Sequence, residues 1–319
     1  MGYVFSLLGA LLFGANGSIT KVITATDLTA LQLTQFRVVG CCLIAGIVLF
    51  FVDRSAFRIS LRQLGVMAIL GVVGVAILQA SYAAAIQLLP VGIALLFEYT
   101  AVLFVALIAF LFFKEKVKAR LWVAIALVLA GLAVVAQIWA SSLNGLGILL
   151  ALLASASLTA YFIIGDRQVS ATSPLAVCFW TMLFASIFWS FFSGWWEVTP
   201  SLLATPISLT GNLAAIVVPL WVPLATNIVF GTFLSFLLSF LALKHLTATA
   251  AGVTASSEVI FAFAVAFLWL GEGLNAVQLI GAAIVLVGII LAQTARASKT
   301  AVVVDADLAL IPGAHSQVG

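Results

Sequence analysis

Apolar residues in this chain do not alternate with polar ones. They run on in long stretches, and most of the charges and prolines fall between them. A hydrocarbon core roughly 30 Å thick takes about 20 residues of helix to cross. Ten such runs are legible, at 3 to 23, 30 to 52, 64 to 87, 91 to 113, 120 to 140, 145 to 165, 174 to 195, 213 to 241, 247 to 270 and 276 to 295. Helical periodicity says nothing inside them, because a helix apolar on every side faces lipid or is buried, so length and flanking charge define the elements. The eighth run is irregular: Pro219 and Pro223 predict either a kink within it or a separate outer segment before it. The first run begins at once, with no basic stretch ahead of it, and is expected to remain as a helix instead of being cleaved as a signal.

Composition agrees with the pattern. Of 319 residues, 65% are hydrophobic and 7% charged, whereas about a quarter of a soluble domain is charged. An all-α membrane protein follows. Lys and Arg collect on the cytoplasmic side of short loops. Placing the even-numbered loops and the C-terminus on that side gathers Arg54, Arg58, Arg62, the cluster from Lys114 to Arg120, Arg167, Lys244, Arg296 and Lys299, and leaves only Lys21 opposite. Both termini are therefore expected in the cytoplasm, in a plasma or inner membrane. Residues 296–319 lack an apolar run of spanning length and read as a flexible cytoplasmic tail.

The stretch from Leu89 to Gln137 returns, without gaps, 157 positions later: Phe104 falls on Phe261, Glu115 on Glu272 and Gly131 on Gly288. With five helices per copy, an odd number, the second copy must lie upside down relative to the first. Residues 1–140 and 141–295 are thus expected to form two inverted five-helix repeats. Small residues four apart recur in the first helix of each half, Ala10, Gly14 and Ser18 in one and Ala151, Ser155 and Thr159 in the other. Such ladders let helix backbones approach closely. Inverted repeats of this kind bind solute near the midplane and expose it alternately to the two sides.

Three ionisable residues lie at membrane depth, where a charge is costly enough to point to function. Arg37 and Glu98 sit roughly 10 to 12 Å below the outer rim at 1.5 Å per residue, and equal depth predicts that they meet or share a polar solute. Glu258 lies near the midplane without an equally deep cation, which suits a proton-exchanging acid or a partner for a cationic solute. Under the repeat offset Glu98 falls on Ala255 and Glu258 on Ala101, so the acids are not symmetry mates. Asn16, Gln35, Tyr82, Tyr99, Trp180 and Ser257 are the accompanying candidates for the solute path, as polar or aromatic groups on apolar helices. Gln32, Gln79, Tyr161 and Asn227 are of the same kind.

Other chemistry has little support. Two histidines and three cysteines show no metal or redox spacing, and no glycine loop with lysine follows a strand, so no metal, cofactor, nucleotide hydrolysis or nucleic-acid partner is expected. An intramembrane enzyme would need a nucleophile or metal beside its acids and a polar loop for a headgroup. A channel would need rings of charge or carbonyls from several copies.

The segment LPVGIALLFEYTAVLFVALIAFLFFKEK from Leu89 to Lys116, with its second copy SSEVIFAFAVAFLWLGE from Ser256 to Glu272, resembles the EamA domain of the drug/metabolite transporter superfamily. The resemblance spans residues 3 to 295. It implies a ten-helix exporter with a central cavity between the halves and a role in exporting amino acids or related metabolites. Arg37 and the Glu98-Tyr99-Thr100 triplet match positions often occupied so in such members. In the second copy of many members the acid precedes a proline; here Glu258 precedes Val259. The combined expectation is a secondary exporter of a small polar metabolite, with Glu258 as the group able to couple protons.

Overall fold

The computed structural model describes residues 1–89, 91–112, 119–137, 144–271 and 275–294. Glu115, Glu272, the Lys114–Lys118 cluster and the tail from 296 lie outside them. The described chain is mostly helical. Six helices are long and apolar enough to cross a membrane: α1 (Gly2–Thr24), α2 (Ala30–Val52), α3 (Leu61–Leu88), α6 (Gly145–Ala171), α8 (Trp221–His245) and α9 (Ala248–Leu270). Shorter apolar helices complete the bundle: α4, in the pieces Val91–Tyr99 and Ala101–Phe112, α5 (Ala119–Ala136), α7 (Pro174–Ser190) and α10 (Ala276–Thr294).

Local chemistry starts these helices where the apolar runs begin. Thr29 and Gln32 form a reciprocal capping box at α2, and Ser60, Asn144, Ser173 and Thr247 each accept a backbone N–H at the starts of α3, α6, α7 and α9. Pro174 follows its cap at the first helical position, where its missing N–H costs nothing.

The eighth run departs from the pattern. Its helix starts at Trp221 and ends at His245, and Pro223 lies in the first turn and needs no kink. Pro219 ends a short antiparallel ribbon, Pro206–Ser208 against Val217–Pro219, in register Pro206 opposite Pro219. This ribbon is the exception to an all-α fold among the described residues. Trp269 Nε1 donates to Leu209 O at 2.9 Å and Asn212 Nδ2 donates to Leu268 O at 3.1 Å, so the segment is fastened to the end of α9.

Helix packing follows the repeat. α1 packs on α9, on its pieces Ala248–Ala255 and Glu258–Leu270 alike, and on α8, while α6 packs on α4 and α3. The ladder residues bring this about: a Cβ on Gly14 would stand 2.7 Å from the Glu258 carbonyl oxygen and the Ala262 nitrogen, and Ser155 shares a 2.8 Å hydrogen bond with Thr100. α5 and α10 meet by glycine contacts that mirror one another. A Cβ on Gly131 would lie 2.7 Å from Val285 and 2.8 Å from Gly281 O, and one on Gly288 would lie 2.8 Å from Val128 and 3.0 Å from Ala124 O. Gly131, Val128 and Ala124 are the repeat mates of Gly288, Val285 and Gly281. Because the higher number on one helix touches the lower on the other, α5 and α10 run antiparallel there, in a self-complementary contact of the kind a two-fold axis generates.

Replacing Gly131 or Gly288 by Val forces these backbones apart. Each variant is expected to lose about 1–3 kcal/mol, seen as a fall in thermal unfolding temperature in detergent; an unchanged temperature would mean the close contact is not formed.

Candidate functional site

Two helices are broken at equivalent positions. α4 is interrupted at Thr100 and α9 at Ser256 and Ser257, and Thr100 and Ser257 are repeat mates. At each break a hydroxyl turns back on its own helix: Thr100 Oγ1 donates to Phe97 O at 2.6 Å, Ser256 Oγ to Val253 O at 2.6 Å and Ser257 Oγ to Thr254 O at 2.8 Å. These bonds serve carbonyls that a break strands in an apolar medium. The interruption of α9 thus falls at two serines, and Val259, not a proline, follows Glu258. Glu98 lies two residues before one break and Glu258 directly after the other.

The third helix of each copy is irregular too. Leu70–Ile77 of α3 and Val229–Leu234 of α8 are π-helical, with Gly74 and Gly231 separated by the same 157 positions. In α8 the loosened turns are held by hydroxyls reaching five residues back, Thr232 to Asn227 O at 3.1 Å and Ser235 to Phe230 O at 2.6 Å. The Asn16 side chain is seated directly on Gly231, where any Cβ would overlap its amide. Such bulges concentrate at functional sites.

Between these elements lies a cavity of about 750 Å³. Arg37, Glu98, Glu258, Asn16, Tyr82 and Tyr99 line it. Gln79 and Tyr161 line it as well. Arg37 Nε donates to Thr232 Oγ1 at 3.0 Å, which fixes the guanidinium by one edge and leaves its terminal nitrogens for the chamber. Among the described residues no ion pair joins Arg37 to Glu98. Arg37 and Glu258 line the same chamber. Glu98 is 9% exposed, and its Oε2 has no hydrogen-bond partner. The Tyr99 hydroxyl reaches Glu258 Oε2 at 2.6 Å and Ala255 O at 3.1 Å, tying α4 to α9.

Three candidates stand elsewhere. Gln35 Nε2 donates to Ser190 Oγ at 3.0 Å, Trp180 Nε1 donates to Ala56 O at 3.1 Å amid Phe179 and Phe184, and Ser257 shapes the α9 break behind the lining. Gln32 caps α2, and Asn227 Nδ2 donates to Thr20 Oγ1 at 3.1 Å. The lining also takes in Ser18, Thr34 and Lys21; the first two are small and neutral and Lys21 lies at a helix end, so none stands out in the sequence as a charge at membrane depth. For Ser18 and Lys21 the signal was their spacing with Gly14 along one face of α1.

The cavity reaches one end of the bundle, where Lys21, Thr24 and Gln87 are exposed. At the other end the first turn of α1 closes on α8: a Cβ on Gly2 would stand 2.8 Å from His245 and Leu246, and Phe5 stacks on His245.

Helices of membrane-crossing length around a buried polar chamber define a multi-pass membrane protein. The chain belongs to the EamA-like transporter family, whose model matches residues 1–137 and 145–294. It is a membrane transporter of the drug/metabolite type, a family of carriers and not of enzymes. A crystal structure of a protein with 15% sequence identity shares the fold at a TM-score of 0.70, covering 91% of this chain and 96% of that one. No curated protein matches the sequence.

If Glu98 faces solute and is not half of a structural ion pair, Glu98→Gln leaves the thermal unfolding temperature unchanged or raises it. A fall equivalent to about 3–5 kcal/mol, the cost of breaking a buried pair, would assign it a structural role.

Proposed function

We propose that this protein is a secondary transporter that exports a small polar organic metabolite, with an amino acid as the leading case, by alternating access. The observation that carries the reading is the pairing of opposite charges in one chamber. Arg37, held only at Nε, faces the same space as Glu98, whose Oε2 is buried without a partner. A zwitterion satisfies both, its carboxylate on the guanidinium fork and its ammonium on the acid. The aromatic rings of Tyr82 and Tyr99 supply apolar walls.

In this reading ten membrane helices form two inverted halves, residues 1–140 and 141–295. The antiparallel, self-complementary contact of α5 with α10 supports it, as do the mated breaks in α4 and α9. The charge layout supports a location in the plasma or inner membrane with both termini on the cytoplasmic side. The end carrying Lys21 then faces outward, and the chamber is open to the outside with its inner end closed at Gly2 and His245. Rocking of one half against the other moves the opening across. Glu258, next to the α9 break, is the proton site that draws on the gradient.

Thermal-shift screening of the purified protein tests the solute class, since a ligand stabilises the fold according to its occupancy. Zwitterionic amino acids are expected to raise the unfolding temperature more than nucleotides or quaternary amines, and Arg37→Gln to abolish the rise. A response to quaternary amines alone would exclude the zwitterion.

With a solute in hand, transport in proteoliposomes is expected to depend on pH in the wild type. Glu258→Gln removes that dependence while leaving counterflow exchange. A mutant that keeps it would remove Glu258 from the coupling role.

A further inference from the structure

The Tyr99 hydroxyl has two oxygens within hydrogen-bonding reach, Glu258 Oε2 at 2.6 Å and Ala255 O at 3.1 Å. A phenol has one proton to give and a backbone carbonyl none. With Glu258 ionised, that single proton serves one acceptor well and leaves the other wanting. With a proton on Oε2, the carboxyl donates to Tyr99 Oη and Tyr99 donates to Ala255 O, so both contacts become full bonds. In a membrane interior, where an unmet polar group is costly, the second arrangement is the satisfied one.

The carbonyl concerned is not an ordinary one. In an unbroken helix Ala255 O would take the Val259 N–H. Here that N–H turns to Ser256 O at 3.4 Å, and the break leaves Ala255 O to Tyr99. The proton on Glu258 and the open turn of α9 are thus joined through one hydroxyl, which comes from the other half of the molecule.

We infer that Glu258 holds a proton in this conformation and that Tyr99 is the positioning residue that transmits its presence to the broken backbone of α9. When the proton leaves for water in the chamber, Tyr99 turns its own proton to the carboxylate, and Ala255 O is released to re-form the helical bond with Val259 N–H. The charged and titratable groups around this switch are Arg37 from α2, Tyr82 from α3, Glu98 and Tyr99 from α4 and Tyr161 from α6, with Lys21 of α1 lining the same chamber. The inference deepens the reading of Glu258 as the proton site, yet it concerns a bond that exists whether or not solute is moved.

Infrared spectroscopy of the purified protein in lipid, with no solute present, reads the bond directly. A protonated-carboxyl stretch is expected that disappears in Glu258→Gln, persists in Glu98→Gln and moves to higher wavenumber in Tyr99→Phe, which removes its acceptor. Hydrogen–deuterium exchange across residues 255–262, corrected for intrinsic rates, is expected to change with pH in the wild type. Tyr99→Phe should lose that change, and Glu258→Gln should hold the acidic pattern at every pH, because its amide donates to Tyr99 as the acid does. The absence of a band assignable to Glu258 would overturn the inference, as would a band and an exchange pattern that Tyr99→Phe leaves in place. Wild-type transport that ignores pH would end the coupled reading above while leaving both spectroscopic signals standing, so the two fail separately.

Discussion

Everything in this molecule answers to the absence of water in the hydrocarbon layer. A backbone or side-chain polar group there must find its partner within the protein or face a chamber. That requirement explains why the breaks of α4 and α9 border one cavity and why hydroxyls, not solvent, reach backbone carbonyls at those breaks and at the bulge of α8. It also explains the position of the charges. Arg37, Glu98 and Glu258 each lie on the lining of that space.

Duplication gives this constraint its form. The same sequence unit, used twice, places a break in α4 and its mate in α9, and π-turns that overlap under the same offset stand in α3 and α8. α1 and α6, the first helices of the halves, each carry the small residues that let them lie against a broken helix. The chemistry laid over this frame is unequal: Glu98 has no acidic mate, nor has Glu258. One half's break carries an acid bonded to a tyrosine of the other, and the opposite break carries an acid whose Oε2 is buried without a hydrogen-bond partner. A symmetric frame with asymmetric contents suits a carrier that must bind one molecule in one orientation while swapping the roles of its halves.

Much of this was legible in the sequence, and for identifiable reasons. Long apolar runs and their charged borders located the helices because length and charge are what a bilayer selects. The duplication was legible through Leu89 and Leu246 and the residues that follow them, since a gap-free repeat needs no structure to be seen. Arg37, Glu98 and Glu258 stood out because their cost at depth is independent of what surrounds them. Partnership was not legible. Equal depth brought Arg37 and Glu98 to one chamber but could not reveal that Thr232, from a π-turn in a distant helix, takes the Arg37 Nε. Trp180 and Gln35 resemble lining residues by type, and only rotation about the helix axis, which an all-apolar helix conceals, turns them to Ala56 and Ser190. The ribbon before α8 was hidden for a related reason: Ile216, Val217 and Val218 are as apolar as a helix in lipid, and only the flanking prolines hinted otherwise.

The central claim is that two copies of one unit lie upside down around the chamber. Thr26, between α1 and α2, and Thr172, between α6 and α7, occupy equivalent turns in the two halves. Single cysteines at these positions, on a background with Cys41, Cys42 and Cys178 replaced, can be labelled in intact cells with a membrane-impermeant thiol reagent. The account predicts that the cysteine at 26 reacts from outside and the one at 172 only after the membrane is opened. Reaction of both from the same side would contradict it.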